Sequence, residues 1–247
     1  MILLVIVANK YKLIPKLFNI ICVNYQIRLK CKPMERNKGH LLTDLAKAAR
    51  WYRSDSIKQY NVEHLGLYDR LARNLTDREG YARYLLDVLG PIQGRVLEIA
   101  GGTGIISSVI SEQYPKAIIS DLNEHALGYD TTENNVQGRQ KSSADFMKLP
   151  FKTDTFGATI CVGGYRYVPS DNAQLFWKEM SRVIKPEGLL IIGQFYPILN
   201  KLRGEDISSH AQANGNGFQF IKLPDYKART QQNIPSGHYE TYVFTKT

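Results

Sequence analysis

The sequence predicts an α/β fold, with a mostly parallel sheet covered by helices on both faces and an antiparallel hairpin at one edge. Three observations predict it. From Arg95 onward, short apolar runs alternate with segments whose apolar residues recur at helical spacing. The first apolar run ends in a glycine-rich turn that opens a helix. The tail holds two strand-like runs, at 217–223 and 239–246, with no strong helix between them.

The elements follow in order. Residues 41–53 (LLTDLAKAARWYR) place apolar residues on one helical face, and 62–75 predict a second helix with Leu65, Leu67, Leu71 and Leu75 inward. A third helix is expected over 77–89, capped by Thr76 or Asp77 and stopped by Gly90-Pro91. Arg95–Ile99 is a short apolar strand and Ile105–Gln113 a helix that stops near Pro115. A strand at 117–120 precedes helix signals from Asn123. A turn at Lys152-Thr153-Asp154 leads into a strand at 157–162. A helix over 172–184 carries Leu175, Phe176, Met180 and Val183 as apolar positions. The turn Lys185-Pro186-Glu187-Gly188 then precedes a buried strand at 189–194. The domain boundaries expected are a basic, apolar extension at 1–33, a helical region at 34–91 and an α/β core at 92–247.

The formal charge is +9, but eight of the 32 Lys/Arg and only one of the 23 acids lie in residues 1–38. The body is close to neutral, which argues against a nucleic-acid surface. The apolar runs in 1–33 fall short of the ~20 residues needed to span a bilayer, and their lysines follow the apolar core where a signal peptide has them before it. Two readings stay open for this arm: a weak membrane contact, or a loose extension upstream of a domain beginning near Met34. Cys22, Cys31 and Cys161 are odd in number and lack C-x-x-C spacing, so neither a disulfide framework nor a zinc site is expected. A reducing, cytoplasmic compartment and no metal follow.

The chemistry is concentrated in Val96-Leu97-Glu98-Ile99-Ala100-Gly101-Gly102-Thr103-Gly104. In an open α/β sheet, ligands bind beyond the carboxyl ends of the strands. Glycines let backbone approach a ligand closely, and a helix N-terminus offers unpaired N–H groups. A dinucleotide loop, G-x-G-x-x-G/A, is only approximately met, because Ser107 stands at the third small position. Glu98 suits a cationic amino group better than a pyrophosphate, or it serves as a charge at the adjacent helix start.

This segment resembles the first motif of the class I S-adenosylmethionine-dependent methyltransferases, V-L-[DE]-x-G-x-G-x-G, with Ala100 in place of the first glycine. Further resemblances follow in order. Asp121 stands after the second strand, Ser143-Ala144-Asp145-Phe146 precedes Leu149-Pro150-Phe151, Phe156-Gly157-Ala158 matches F-D-A, and 177–188 (WKEMSRVIKPEG) is similar to a helix ending in L-K-P-G-G. The likeness covers about 95–195 and is nearest to the small-molecule, type 11 branch that includes quinone-biosynthesis C-methyltransferases. It implies a Rossmann-like, seven-stranded sheet, with residues 34–91 as a lid whose Tyr52, Tyr60, Tyr68, Tyr81 and Tyr84 form an aromatic wall or, at helical spacing, simply pack as core. It implies S-adenosylmethionine as cofactor, held by Glu98, Ala100, Gly101, Gly102, Thr103, Gly104, Asp121, Leu122, Asp145, Phe146 and Cys161. In this pattern Asp121 takes the ribose hydroxyls, Asp145 the adenine amino group, the Phe146 N–H a ring nitrogen, and Leu122 packs on the adenine face. Asp121 as a helix cap and Asp145 as an ordinary turn residue are the structural alternatives.

Where that branch carries L-H-H after the fourth strand, this chain has Tyr165-Arg166-Tyr167. These three are the candidate catalytic and substrate-facing residues, Arg166 for a carboxylate and the tyrosines for a hydroxyl or an aromatic pocket. A solvated arginine with two packing tyrosines is the alternative. The function expected is methyl transfer by in-line displacement to a small-molecule acceptor, with oxygen, nitrogen and carbon all open as the acceptor atom. A non-catalytic cofactor binder and a protein or RNA methyltransferase are the competing classes. No N-P-P-Y-like tetrapeptide follows the fourth strand, which weighs against the last.

Overall fold

The computed structural model describes residues 76–128, 139–197, 207, 211, 212, 215, 217–229 and 235–247. The extension at 1–33, the helices expected at 41–53 and 62–75, and Tyr52, Tyr60 and Tyr68 lie outside the described residues. The elements are α1 (Arg78–Leu89), β1 (Arg95–Ile99), α2 (Ile105–Gln113), β2 (Ile118–Asp121), α3 (Glu124–Gly128), β3 (Gln140–Ser143), β4 (Phe156–Val162), α4 (Ala173–Val183), β5 (Ile184–Pro197), β6 (Phe218–Arg229) and β7 (Pro235–Lys246).

The seven strands form one sheet in the order β3-β2-β1-β4-β5-β7-β6. The first five are mutually parallel, and β7 runs antiparallel to both β5 and β6. The chain moves outward from β1 to β3, then returns to β4 on the other side of β1. That reversal is the switch point at which open α/β sheets bind ligands. β1 and β4 are central, so they read as apolar runs rather than alternating ones: four of five residues in β1 and all seven in β4 are buried.

Side chains still alternate between two cores. Leu97, Ile99 and Cys161 join Phe176, Trp177 and Met180 of α4 on one face. Val96, Ala158, Ile160 and Val162 join Tyr81 and Leu85 of α1 and Ile106, Val109 and Ile110 of α2 on the other. The period of two therefore places Glu98 on the α1/α2 face.

The sequence leaves Tyr81 open between a lid wall and a core position, and expects Thr76 or Asp77 as a cap. α1 is packed on the sheet. Tyr81 is fully buried, stacks on Tyr239 with centroids 3.8 Å apart, and pairs its hydroxyl with Thr241 at 2.7 Å. Asp77 makes no side-chain cap; its carboxylate accepts from the Tyr226 hydroxyl at 2.7 Å, tying the start of α1 to the hairpin. Tyr84 donates to the Pro224 carbonyl at 2.6 Å.

The turn and strand expected at 185–194 form one long strand, β5, whose pairing with β4 shifts between Phe156 and Ala158. Glu187 adopts φ 62 in this irregular stretch. Gly157 lies opposite it, and a Cβ there would overlap the Gln93 carbonyl oxygen. That contact explains glycine where the resembling motif has aspartate.

Candidate functional site

The site forms where two turns meet. Ile99 at the end of β1 pairs in register with Cys161 of β4. The glycine turn 100–104 and the turn 163–167 consequently emerge side by side at the carboxyl end of the sheet. Ala100, Gly102 and Gly104 adopt positive φ of 52, 55 and 80. A left-handed conformation costs a non-glycine residue about 1–2 kcal/mol, so the alanine is a tolerated strain where glycine is the relaxed choice. Its methyl is accommodated because residue 164 is glycine: a Cβ at Gly164 would lie 2.4 Å from the Ala100 Cβ and 3.0 Å from the Cys161 Sγ. The two positions exchange volume across the β1–β4 junction.

The turn is held from three sides. The Gly101 N–H donates to the Ser120 carbonyl of β2 at 3.0 Å, and the Gly104 N–H to the Gly101 carbonyl at 3.0 Å. The Asp121 carboxylate accepts from the Gly102 N–H through one oxygen and from the Asn123 N–H through the other, each at 2.8 Å. It is thus at once a turn clamp and a local cap, and each oxygen keeps acceptor capacity for a further donor. Burial raises its pKa, against the pull of the backbone N–H groups of Asn123, Gly102 and Leu122. Thr103 is buried in the turn.

Glu98 lies beneath this turn rather than in front of it. It is buried, accepts from the Ser107 hydroxyl of α2, and burial raises its pKa to about 7 despite that bond and the charge of Arg78. Gly101 permits this approach, since a Cβ there would meet the Ile119 side chain at 2.6 Å and the Glu98 carboxylate at 3.3 Å. Arg139 donates to the carbonyls of Ser107 and Ser108 and, at 2.9 Å, to the Ser111 hydroxyl, which fastens the first turns of α2.

The residues expected on the adenine side occupy neighbouring loops. Leu122 is 48% exposed, an apolar side chain left open directly after Asp121. The Ala144 N–H donates to the Asp121 carbonyl at 3.0 Å, joining the loop after β3 to β2. Asp145 accepts from the Met147 N–H at 2.8 Å, so the turn role applies while its second oxygen has no part in that bond. Phe146 packs edge-on against Phe176. This loop is anchored by two residues that the sequence reading passed over. Glu179 of α4 accepts from the Leu149 N–H at 2.6 Å, while Arg182 donates to the carbonyls of Phe151 at 2.6 Å and Leu149 at 3.0 Å. The signal that could have found them is their i, i+3 spacing with opposite charges on α4.

The three candidates after β4 separate. Tyr165 is 1% exposed and packs edge-on against Phe176 at 5.1 Å. Its aromatic ring fills the α4 core, which corrects its placement among substrate-facing residues. Arg166 is exposed and Tyr167 is 41% exposed, so these two remain at the surface of the turn. Cys161 is wholly buried, and burial pushes its thiol up to about 12. It packs on the α4 face as a small apolar residue. Arg78, also missed by the sequence reading, brings its guanidinium to the other side of the same turn: a Cβ at Gly163 would lie 3.9 Å from its Nη2. The folded chain also gathers Asp225, His238 and Glu240 on the hairpin, their potential ligand atoms within 4.8 Å of one another, but Lys222 Nζ already lies 3.2 Å from Glu240.

The strand order, the glycine turn at the switch point and an acid closing the second strand together form a ligand-binding α/β domain of the kind the sequence resemblance implies. The donor set suits S-adenosylmethionine: acids for a diol and an ammonium, an open apolar side chain for a base, and, among the described residues, no cluster of cations at the turn for phosphates. A methyltransferase-domain family model matches residues 97–192. Residues 97–192 thus carry a methyltransferase domain of the type 11 kind, which supports a class I S-adenosylmethionine-dependent methyltransferase with S-adenosylmethionine as the cofactor of that domain.

The chain is similar to the ubiquinone/menaquinone biosynthesis C-methyltransferase of Desulfotalea psychrophila, with 27% identity over 179 residues covering 63% of this chain and 72% of the relative. The Nitrosospira multiformis enzyme of the same name is 33% identical over 129 residues, 50% of this chain and 52% of its own. The matches to several such relatives span about half their length. In fold, the chain resembles the TehB-like SAM-dependent methyltransferase of Corynebacterium glutamicum, with TM-score 0.54, 20% identity, 76% of this chain and 100% of that one covered. No helix among the described residues is long and apolar enough to cross a membrane.

Proposed function

We propose that this chain transfers the methyl group of S-adenosylmethionine to a small-molecule acceptor held over the carboxyl ends of β1 and β4. The observation that carries this reading is the register Ile99–Cys161, which sets the cofactor-binding turn beside the turn bearing Arg166 and Tyr167. When bound, the cofactor supplies an activated methyl on a sulfonium whose departure as a neutral thioether requires no acid. The protein's task is therefore to place the nucleophile in line with that methyl and to keep water out.

In this reading Asp121 takes the ribose hydroxyls through the acceptor capacity left by its two backbone bonds, and Leu122 covers the adenine. Asp145 takes the adenine amino group and the Phe146 N–H a ring nitrogen. Glu98, ionised, faces the ammonium of the methionyl end through the floor of the turn. Arg166 recognises an anionic group of the acceptor by its forked donors, and Tyr167 packs on or orients it. The relatives' names place them in quinone biosynthesis, and an aromatic acceptor bearing a carboxylate or acidic hydroxyl is the class that Arg166 with Tyr167 would take. Such an acceptor presents an ionised or readily ionised oxygen, or a carbon activated by it.

The test is methyl transfer from radiolabelled cofactor to a panel of phenolic and carboxylated aromatic acceptors. Turnover should require an acceptor with an acidic group, and Arg166→Ala should raise its KM about tenfold or more while leaving cofactor binding unchanged. Cofactor binding without turnover on any acceptor would contradict the catalytic reading. An unchanged KM would remove Arg166 from it.

A further inference from the structure

We infer that Asp225, His238 and Glu240 form a binding site for one divalent transition-metal ion of the zinc kind, which ties a bulge in β6 to β7 beside the carboxyl end of β5. The site is built by the hairpin alone and does not depend on the cofactor reading.

No metal-ligand spacing joins the three along the chain, so pleat and bulge have to assemble them. His238 and Glu240 are two apart on β7 and therefore share a face of the sheet, the face on which Tyr242 and Phe244 join the α4 core. His238 pairs with Tyr196 near the end of β5. On β6, Leu223 pairs with Thr241 and Tyr226 with Tyr239, so Pro224 and Asp225 together stand opposite Glu240. In unbroken register Asp225 would face Tyr239, on the α1 side of the sheet. The extra residue is a bulge, and it re-aims Asp225 toward the His238 and Glu240 side. The bulge is fastened from α1, where the Tyr84 hydroxyl donates to the Pro224 carbonyl at 2.6 Å. His238 Nε2 consequently lies 3.9 Å from Asp225 Oδ2 and 3.9 Å from Glu240 Oε1, and all three ligand atoms fall within 4.8 Å of one another.

Neighbours orient these ligands. The Tyr242 hydroxyl donates to Glu240 Oε2 at 2.9 Å, which leaves Oε1 turned toward His238. The His238 ring stacks on Tyr196, with centroids 5.6 Å apart and planes at 26°. Partners of this sort fix metal-binding side chains in place. The cluster already draws cations: the Lys222 ammonium lies 3.2 Å from Glu240 Oε1 and 3.9 Å from Asp225 Oδ1, and the Lys227 ammonium 3.9 Å from Asp225 Oδ2. Both lysines can yield to an ion. Lys227 is 73% exposed, and the Lys222 ammonium has a second seat over the Tyr242 ring, 5.5 Å from its centroid. One imidazole with two carboxylates suits zinc, with water in the fourth position, whereas magnesium and calcium favour oxygen alone. Ligand atoms around tetrahedral zinc stand about 3.4 Å apart for bonds of about 2.1 Å, so the 3.9 Å separations need only a small side-chain rotation.

The test is calorimetric titration of the untagged, chelator-treated full chain with zinc chloride and with magnesium chloride. The wild type should bind zinc and show no magnesium binding at the same concentrations. His238→Ala and Asp225→Asn should each weaken zinc by about tenfold or more. Lys222→Met should tighten it by about threefold or more, because the competing ammonium is gone. That gain separates a metal site from a cluster of ion pairs, which would only lose a partner. Absence of zinc binding, zinc binding unmoved by both His238→Ala and Asp225→Asn, magnesium bound as tightly as zinc, or no gain in Lys222→Met overturns the inference. If His238→Ala does not fold, Asp225→Asn and Lys222→Met decide by the same outcomes.

Discussion

Replacing Gly164 by alanine isolates the contact that distinguishes this cofactor turn. The new Cβ would lie 2.4 Å from the Ala100 Cβ and 3.0 Å from the Cys161 Sγ, both closer than carbon and sulfur tolerate. Neither neighbour is the end of a flexible side chain, so backbone must move. Gly164 itself has φ −82, an ordinary value for alanine, so the substitution adds no backbone strain and the whole effect is steric. Overpacking of this kind costs about 1–3 kcal/mol. Ala100→Gly removes the clashing methyl and relaxes a φ of 52, worth about 1 kcal/mol before the entropy of the new glycine is subtracted. Placed together, the two changes swap the methyl from one side of the junction to the other, and the double variant should recover most of what Gly164→Ala loses. Denaturant unfolding of the four proteins gives the coupling energy directly, with about 1 kcal/mol or more expected. S-adenosylmethionine affinity should track the same pattern, because the strained segment is the binding turn. Additive effects in the double variant would refute the volume exchange.

Other outcomes follow from the same contacts. Glu98 has its pKa raised to about 7, so its protonated form favours the folded state: the stability it confers is full below the unfolded value of 4.5 and is lost as pH rises through about 7, to the extent of about 3 kcal/mol. Cofactor affinity should run the other way, falling about tenfold from its plateau above pH 8 down to pH 6, since the ammonium pairs with the ionised form. Glu98→Gln should flatten both profiles in thermal melts and titrations, and an unchanged affinity profile would exclude Glu98 from the ammonium. Arg182→Met should leave Glu179 and the carbonyls of Leu149 and Phe151 short of a donor, costing about 1–3 kcal/mol in unfolding experiments and weakening adenosine-containing ligands through the Asp145 loop. Wild-type stability in that variant would show the anchor to be dispensable.

The sheet was readable because its central strands are short apolar runs bounded by glycine and proline, and that pattern survives any detail of packing. β1 and α2 were placed to the residue. β3 (QKSS) was not placed, because it is a polar edge strand whose pairing with β2 comes from neighbours rather than from its own composition. The role of α1 stays open in the sequence because its tyrosines sit at helical spacing whether they line a pocket or fill a core. Only the partners Tyr239 and Thr241, about 160 residues away, decide between the two. Ala100 was seen as a departure from a motif, but its compensation at Gly164 lies 64 positions on and is visible only once β1 and β4 pair. Tyr165-Arg166-Tyr167 was divided by a single turn of 3₁₀ helix, which sends the first ring into the α4 core and leaves the next two residues outside.

The central claim is that the turn 100–104, clamped by Asp121, binds S-adenosylmethionine. Calorimetric titration of the wild type and Asp121→Ala with S-adenosylmethionine and S-adenosylhomocysteine tests it most directly. The wild type should bind both with one site, and Asp121→Ala should weaken both by at least tenfold, because it removes the clamp on Gly102 together with the acceptor proposed for the ribose. Absence of binding by the wild type, or equal binding by the two proteins, would contradict the account.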